Sequence, residues 1–161
     1  MKLETCNMKP SKDPFGELSH ASKCPGLKQR FPDRVLVMTT DTCFGYCAHC
    51  TRKWILGKSK VVETDAELKT CVDYVKRHPK VRDVLLSGGD VLTLSDAQVM
   101  RFVNAFAVLD QIEVIRICTR APVSNPKRIE RYCAERIGGL ALPRFVADLP
   151  DAKRKTPLDL L

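Results

Sequence analysis

Cys43, Cys47 and Cys50 stand at C-x3-C-x2-C spacing within Thr42-Cys43-Phe44-Gly45-Tyr46-Cys47-Ala48-His49-Cys50. Thiolates are soft ligands that suit iron–sulfur clusters and zinc. A closed structural zinc takes four ligands, and this spacing supplies three. A cubane held by three cysteines keeps one iron open for a substrate or cofactor, and the loop fits that use better. Zinc remains an alternative, with Cys24, Cys71 or His49 as the fourth ligand, and three unligated thiols are another. The chain carries eight cysteines in 161 residues, which also raises disulfides. Met1-Lys2-Leu3-Glu4-Thr5 has no apolar core of a secretion signal, so the expectation is a cytoplasmic protein. There thiols stay reduced, and clustered cysteines serve metal or catalysis. Cys6, Cys24, Cys71, Cys118 and Cys133 fall outside the cluster spacing, and Cys71 and Cys133 read as helix packing residues.

A second group is Ser87-Gly88-Gly89-Asp90. Two glycines after an apolar run let the backbone approach a ligand closely, and the Asp90 carboxylate can accept hydrogen bonds from an ammonium. A plain strand-to-helix turn would use the same residues.

These groups need elements to position them. Residues 1–30, broken by Pro10, Pro14 and Pro25, read as an arm with little regular structure. Residues 31–161 form the second unit. Arg34–Thr39 reads as a strand, and the cysteine loop follows it. Asp65–Arg77 is amphipathic, with Leu68, Val72 and Val75 at helical spacing and Thr64 as cap. Val81–Ser87 is a second strand. Ser95–Leu109 is a second helix with Val99, Phe102, Val103 and Phe106 on its core face. Ile112–Cys118 is a third strand, and Asn125–Glu135 a third helix opened by Pro126. Leu140–Ala147 reads as a fourth strand, and the tail from Asp148 to Leu161 as a basic loop. The alternation argues for an α/β fold of parallel βαβ units with the helices on one side. In such sheets function gathers at the C-terminal strand ends. The cysteines, Ser87–Asp90 and Thr119-Arg120 all fall there.

Composition narrows the function classes. The hydrophobic content of 44% is that of a globular protein. No apolar run approaches the roughly 20 residues that span a membrane. The net charge of +8 would suit nucleic acid or an acidic partner. An aromatic content of 6% with no basic–aromatic interleaving makes nucleic acid an unfavoured partner.

The C-x3-C-x2-C loop together with Ser87-Gly88-Gly89-Asp90 resembles the signature of the radical S-adenosylmethionine (SAM) enzymes. More narrowly, Arg34-Val35-Leu36, Cys47 to Lys53, Val81 to Asp90 and Ile115 to Val123 look like the lysine 2,3-aminomutase family. Leu142 to Asp148 and Lys155-Thr156-Pro157 resemble a late part of the same family, so the likeness spans roughly residues 29–157. It implies a partial (β/α) radical SAM-type barrel with a parallel sheet and outer helices. It also implies a [4Fe-4S] cluster on Cys43, Cys47 and Cys50, SAM on its open iron, and pyridoxal phosphate (PLP). SAM is cleaved to a 5′-deoxyadenosyl radical, which takes a β-hydrogen from the amino acid, and the PLP-bound nitrogen migrates.

Carried over by position, His49, Ser87, Gly88, Gly89 and Asp90 bind SAM, with His49 near the adenine. Lys155 is the PLP Schiff-base lysine and the catalytic residue, and Arg30 and Arg34 hold PLP. Arg52 takes the substrate carboxylate, and Asp148 pairs with the distal ammonium of a lysine-type substrate. A flavodoxin- or ferredoxin-type electron donor is implied as a partner.

The chain also departs from the pattern. The glycine-rich run before the lysine is here Asp151-Ala152-Lys153-Arg154, and Ile137-Gly138-Gly139-Leu140 leads straight from the third helix into the late strand. About three units and one strand are present, where a full eight-unit barrel takes at least about 200 residues. The chain therefore reads as an internally shortened member. Its open sheet edges suggest a homodimer. The alternative function is a cluster- and SAM-binding module without aminomutase activity.

Overall fold

The structure is a computed structural model that describes residues 13, 16, 17, 24–53, 56, 57 and 60–129. The expected fourth strand at 140–147, the third helix beyond residue 129, Asp148 and Lys155 lie outside these residues.

Four strands form one sheet in the order β1 (Leu27–Phe31), β2 (Arg34–Thr40), β3 (Asp83–Gly88) and β4 (Val114–Ile117). β2, β3 and β4 are parallel, and the two crossovers between them carry α1 (Asp65–Lys76) and α2 (Asp96–Ala107). The three apolar runs of the sequence are these parallel strands. β1 is a correction to the expected arm. Leu27–Phe31 pairs antiparallel with β2, with Leu27 opposite Val37 and Lys28 opposite Leu36, so the sheet is mixed.

Alternation divides the sheet into two faces. Val35, Val37, Val84 and Leu86 pack against Leu68, Cys71 and Val75 of α1 and Val99, Phe102, Val103 and Phe106 of α2 to make the core. The other face carries Arg34, Leu36, Leu85 and Arg116. There Asp83, buried at the start of β3, accepts from Arg116 Nε at 3.1 and 3.0 Å through its two oxygens.

Both long helices begin where the sequence places them. Thr64 accepts from the Glu67 N–H while Glu67 reaches back to the Thr64 N–H, and Ser95 and Gln98 make the same reciprocal box at α2. The stretch after β4 differs from expectation. A four-residue helix, α3 (Ala121–Ser124), precedes Pro126, and residues 126–129 are helical in turn. From that second turn Arg128 donates to the carbonyls of Leu92 and Leu94, each at 3.1 Å, and pairs with Asp96. This ties the chain after β4 back to the start of α2.

Candidate functional site

At the C-terminal ends of β2, β3 and β4 the connecting loops surround a cleft of about 820 Å³. Three of its walls come from separate loops: Cys43 to Lys53, Ser87 to Asp90, and Ile117 to Ser124. Cys43, Cys47, Cys50, Arg52, Ser87, Gly88, Gly89 and Asp90 are therefore brought together around one cleft. All three cysteine side chains are partly buried.

The cysteine loop is built of turns. The Cys50 N–H donates to the Cys47 carbonyl at 3.0 Å. In such an i to i+3 turn the side chains at the two ends lie on one side, which is how Cys47 and Cys50 both reach the cleft. Burial raises the Cys43 thiol pKa, and the nearby Asp90 carboxylate and the Cys50 and Cys47 thiols add to the effect. Among the described residues the three sulfurs do not converge into a ready-made ligand set. The donor chemistry nonetheless fits a cationic cluster, with three thiols on one open loop and a surrounding charge that a bound cation would offset.

Arg120, which the sequence places with this group at the strand ends without giving it a role, makes direct contacts to the cysteine loop. Its Nη1 donates to Cys47 Sγ at 3.0 Å and to His49 Nε2 at 2.8 Å. The guanidinium thereby joins the loop after β4 to the cysteine loop. The signal was its place directly after a parallel strand. Cys118, outside the cluster spacing, also lines the cleft.

The Gly-Gly turn has a demanding backbone. Gly88 has φ +122°, and a Cβ on it would stand 2.1 Å from the Thr40 carbonyl oxygen. A Cβ on Gly89 would stand 2.2 Å from that of Thr42. These close approaches exist because the Gly89 N–H donates to Thr40 at 2.7 Å and the Asp90 N–H to Thr42 at 2.8 Å. The glycines thus weld the β3 turn to the root of the cysteine loop.

The Asp90 carboxylate is buried and well occupied. It accepts from the Leu92 N–H at 3.0 Å, the Thr119 hydroxyl at 2.6 Å and the Arg120 N–H at 2.8 Å. Its side chain therefore joins the β3 and β4 loops on the floor of the cleft, in addition to lining it.

Arg52 projects from the far side of the cysteine loop. Its Nε donates to the two Glu17 oxygens at 2.9 and 2.8 Å, and its Nη1 to the Ser87 hydroxyl at 2.7 Å. The guanidinium is thus shown holding a carboxylate, here one from the arm, in a partly buried setting.

Arg30 and Arg34 lie elsewhere, in a smaller cleft of about 340 Å³ toward the N-terminal end of β2, with Lys28, Leu36 and Leu85. Both guanidinium groups stack over the Phe31 ring, at 5.6 and 5.3 Å from its centre. Arg34 also pairs with Asp33 at 3.1 Å. Glu17 lines this cleft while holding Arg52 in the other. Asp148 and Lys155 lie outside the described residues. The zinc alternative loses two of its fourth ligands, because Cys24 and Cys71 meet in the hydrophobic core on the helix side of the sheet.

No protein-family model matches the chain. Among curated proteins, the L-lysine 2,3-aminomutase of Acetoanaerobium sticklandii is 44% identical over 108 residues, 67% of this chain and 26% of that protein. The L-lysine 2,3-aminomutase of Bacillus subtilis is 38% identical over 123 residues, 76% of this chain and 26% of that protein. The glutamate 2,3-aminomutase of Clostridioides difficile is 31% identical over 122 residues, 75% of this chain and 29% of that protein. The chain spans about a quarter of the length of the curated relatives it matches. Over that shared segment the chain is homologous to these 2,3-aminomutases.

Proposed function

We propose that this chain is the cluster- and SAM-binding part of a radical SAM, PLP-dependent 2,3-aminomutase acting on a lysine-type amino acid. The observation that carries the reading is the convergence of three cysteines, the Ser87–Asp90 turn and Arg120 on one cleft at the C-terminal ends of three parallel strands. The homology to lysine and glutamate 2,3-aminomutases supports an isomerase of this type.

In this reading Cys43, Cys47 and Cys50 hold a [4Fe-4S] cluster. Arg120 donates to the Cys47 sulfur and to His49 beside it. The Gly88-Gly89 backbone and Ser87 line the wall for SAM, with Asp90 fixing the turn beneath it. Arg52 receives the substrate carboxylate, in the position where it now holds Glu17. Arg30 and Arg34, with Lys28 of β1, offer a basic rim to a phosphate, and Lys155 binds PLP. Asp148 takes the distal ammonium. When bound, the cluster with SAM supplies a 5′-deoxyadenosyl radical, and PLP carries the migrating nitrogen.

The sheet is the start of a partial radical SAM barrel, residues 31–161, with residues 1–30 as its arm and β1 crossing that boundary. The reductant is a small electron carrier of flavodoxin or ferredoxin type, and the setting is cytoplasmic.

A second reading rests on the extent of the match. The shared segment is about a quarter of the relatives' length, and it can keep the cluster and SAM without isomerising an amino acid. The first experiment is 5′-deoxyadenosine release from SAM by the anaerobically reconstituted, reduced chain. Release that disappears in Cys47→Ala is expected. Four irons bound without release would overturn the SAM site. PLP absorbance lost in Lys155→Ala, with lysine turnover, separates the aminomutase from the module.

A further inference from the structure

Cys24 sits just before β1, and Cys71 sits in the middle of α1. Both are buried, at 3% and 0% exposure, and their Sγ atoms are 3.0 Å apart. The acceptor they share is the Pro25 carbonyl, 3.7 and 3.8 Å from the two sulfurs. Leu27, Val62, Leu68 and Val75 belong to the same core cluster. A disulfide bond is about 2.05 Å long, so about an ångström of approach separates these thiols from a bond. The pair lies on the helix face of the sheet, away from the cleft, and neither thiol has a part in the proposed chemistry.

We propose that Cys24 and Cys71 are a redox modification site that closes to a reversible disulfide, stapling the entrance of β1 to α1. One thiolate attacks a small disulfide oxidant such as oxidised glutathione. This forms a mixed disulfide and releases one reduced glutathione. The second thiolate then attacks the protein sulfur and displaces the other glutathione. Two thiols are oxidised, two glutathione thiols are produced, and the protons pass to solvent and product. Burial raises both thiols, Cys71 strongly. Exchange is therefore slow near neutral pH and faster in alkali, and it proceeds through local opening that admits the oxidant.

The staple would span 47 positions of sequence, enclosing β1, β2 and the cysteine loop. It would therefore constrain the scaffold beneath that loop whether or not the cleft binds a cluster. A loop of that size corresponds to a rise in Tm of roughly 10 °C.

The test uses the full reduced chain without added metal, treated with oxidised glutathione at mildly alkaline pH, quenched with N-ethylmaleimide and mapped by peptide mass spectrometry. The expected result is one peptide pair joined through Cys24 and Cys71 and released by dithiothreitol. The oxidised chain should also melt roughly 10 °C above the reduced one, and that difference should be absent in Cys71→Ser. If the serine variant does not fold, Cys24→Ala serves instead. Separate alkylation or glutathionylation of the two thiols overturns the proposal. So does a joined pair that forms only in urea, or joining of Cys24 to Cys43 or Cys118 in preference to Cys71.

Discussion

Gly88 illustrates how a residue can look like a ligand contact and be, first, a backbone necessity. Its φ of +122° lies where side chains are strained, and a methyl group would meet the Thr40 oxygen at 2.1 Å, against backbone that cannot swing aside. Gly88→Ala should therefore cost at least ~3 kcal/mol, read as a lower urea midpoint in the chain without cofactors. An unchanged midpoint would mean that the turn is not held this way. The cysteine spacing was legible in the sequence because three cysteines on one loop need no tertiary information. The contact of Arg120 with Cys47 was not, since it crosses 73 positions of sequence and depends on the parallel pairing of β2 with β3 and of β3 with β4. Nor did the spacing show that the Asp90 carboxylate is spent on Leu92, Thr119 and Arg120. Arg52, expected to take the substrate carboxylate, is paired in the structure with Glu17, a partner no local pattern announces.

At the scale of elements, α1 shows why some boundaries are written in the sequence. Thr64 and Glu67 satisfy each other's N–H groups, and Lys60 adds a 2.9 Å ion pair to Glu67. Lys60, then the N–H groups of Thr64 and Glu63, pull the Glu67 pKa from 4.5 down to about 2. A depressed folded-state pKa stabilises the fold above the unfolded value, and that contribution is lost as pH falls. Glu67 should thus add to stability fully above about pH 4.5 and progressively less toward pH 2. Urea titrations over that range should show a steeper acid decline in the parent than in Glu67→Gln, and parallel declines would refute it. β1 was illegible for the opposite reason. Leu-Lys-Gln-Arg-Phe has only Leu27 to bury on the helix face, and its place is fixed by pairing with β2. α3 was missed because Pro122 falls inside its first turn, next to the Pro126 that opens the following turn.

The whole molecule joins one well-packed face to one polar face. The helices cover Val35, Val37, Val84 and Leu86, whereas Arg34, Arg116 and the Leu36–Leu85 pair lie opposite. Sheet edges seek partners, since each N–H and C=O left without one costs free energy when shielded from water. Among the described residues β4 pairs only with β3, so its outer edge needs a neighbour. Residues beyond 129 are one source, and a second copy of the chain is the other. Two copies would also bring two open faces together. The expected outcome is therefore a homodimer in sedimentation velocity, with the amides of Val114–Ile117 slow to exchange with solvent. Dilution should then release the dimer and the protection together, because the same contact provides both. A monomer whose β4 amides stay protected would show that the chain's own later residues cover that edge, and the dimer would be ruled out.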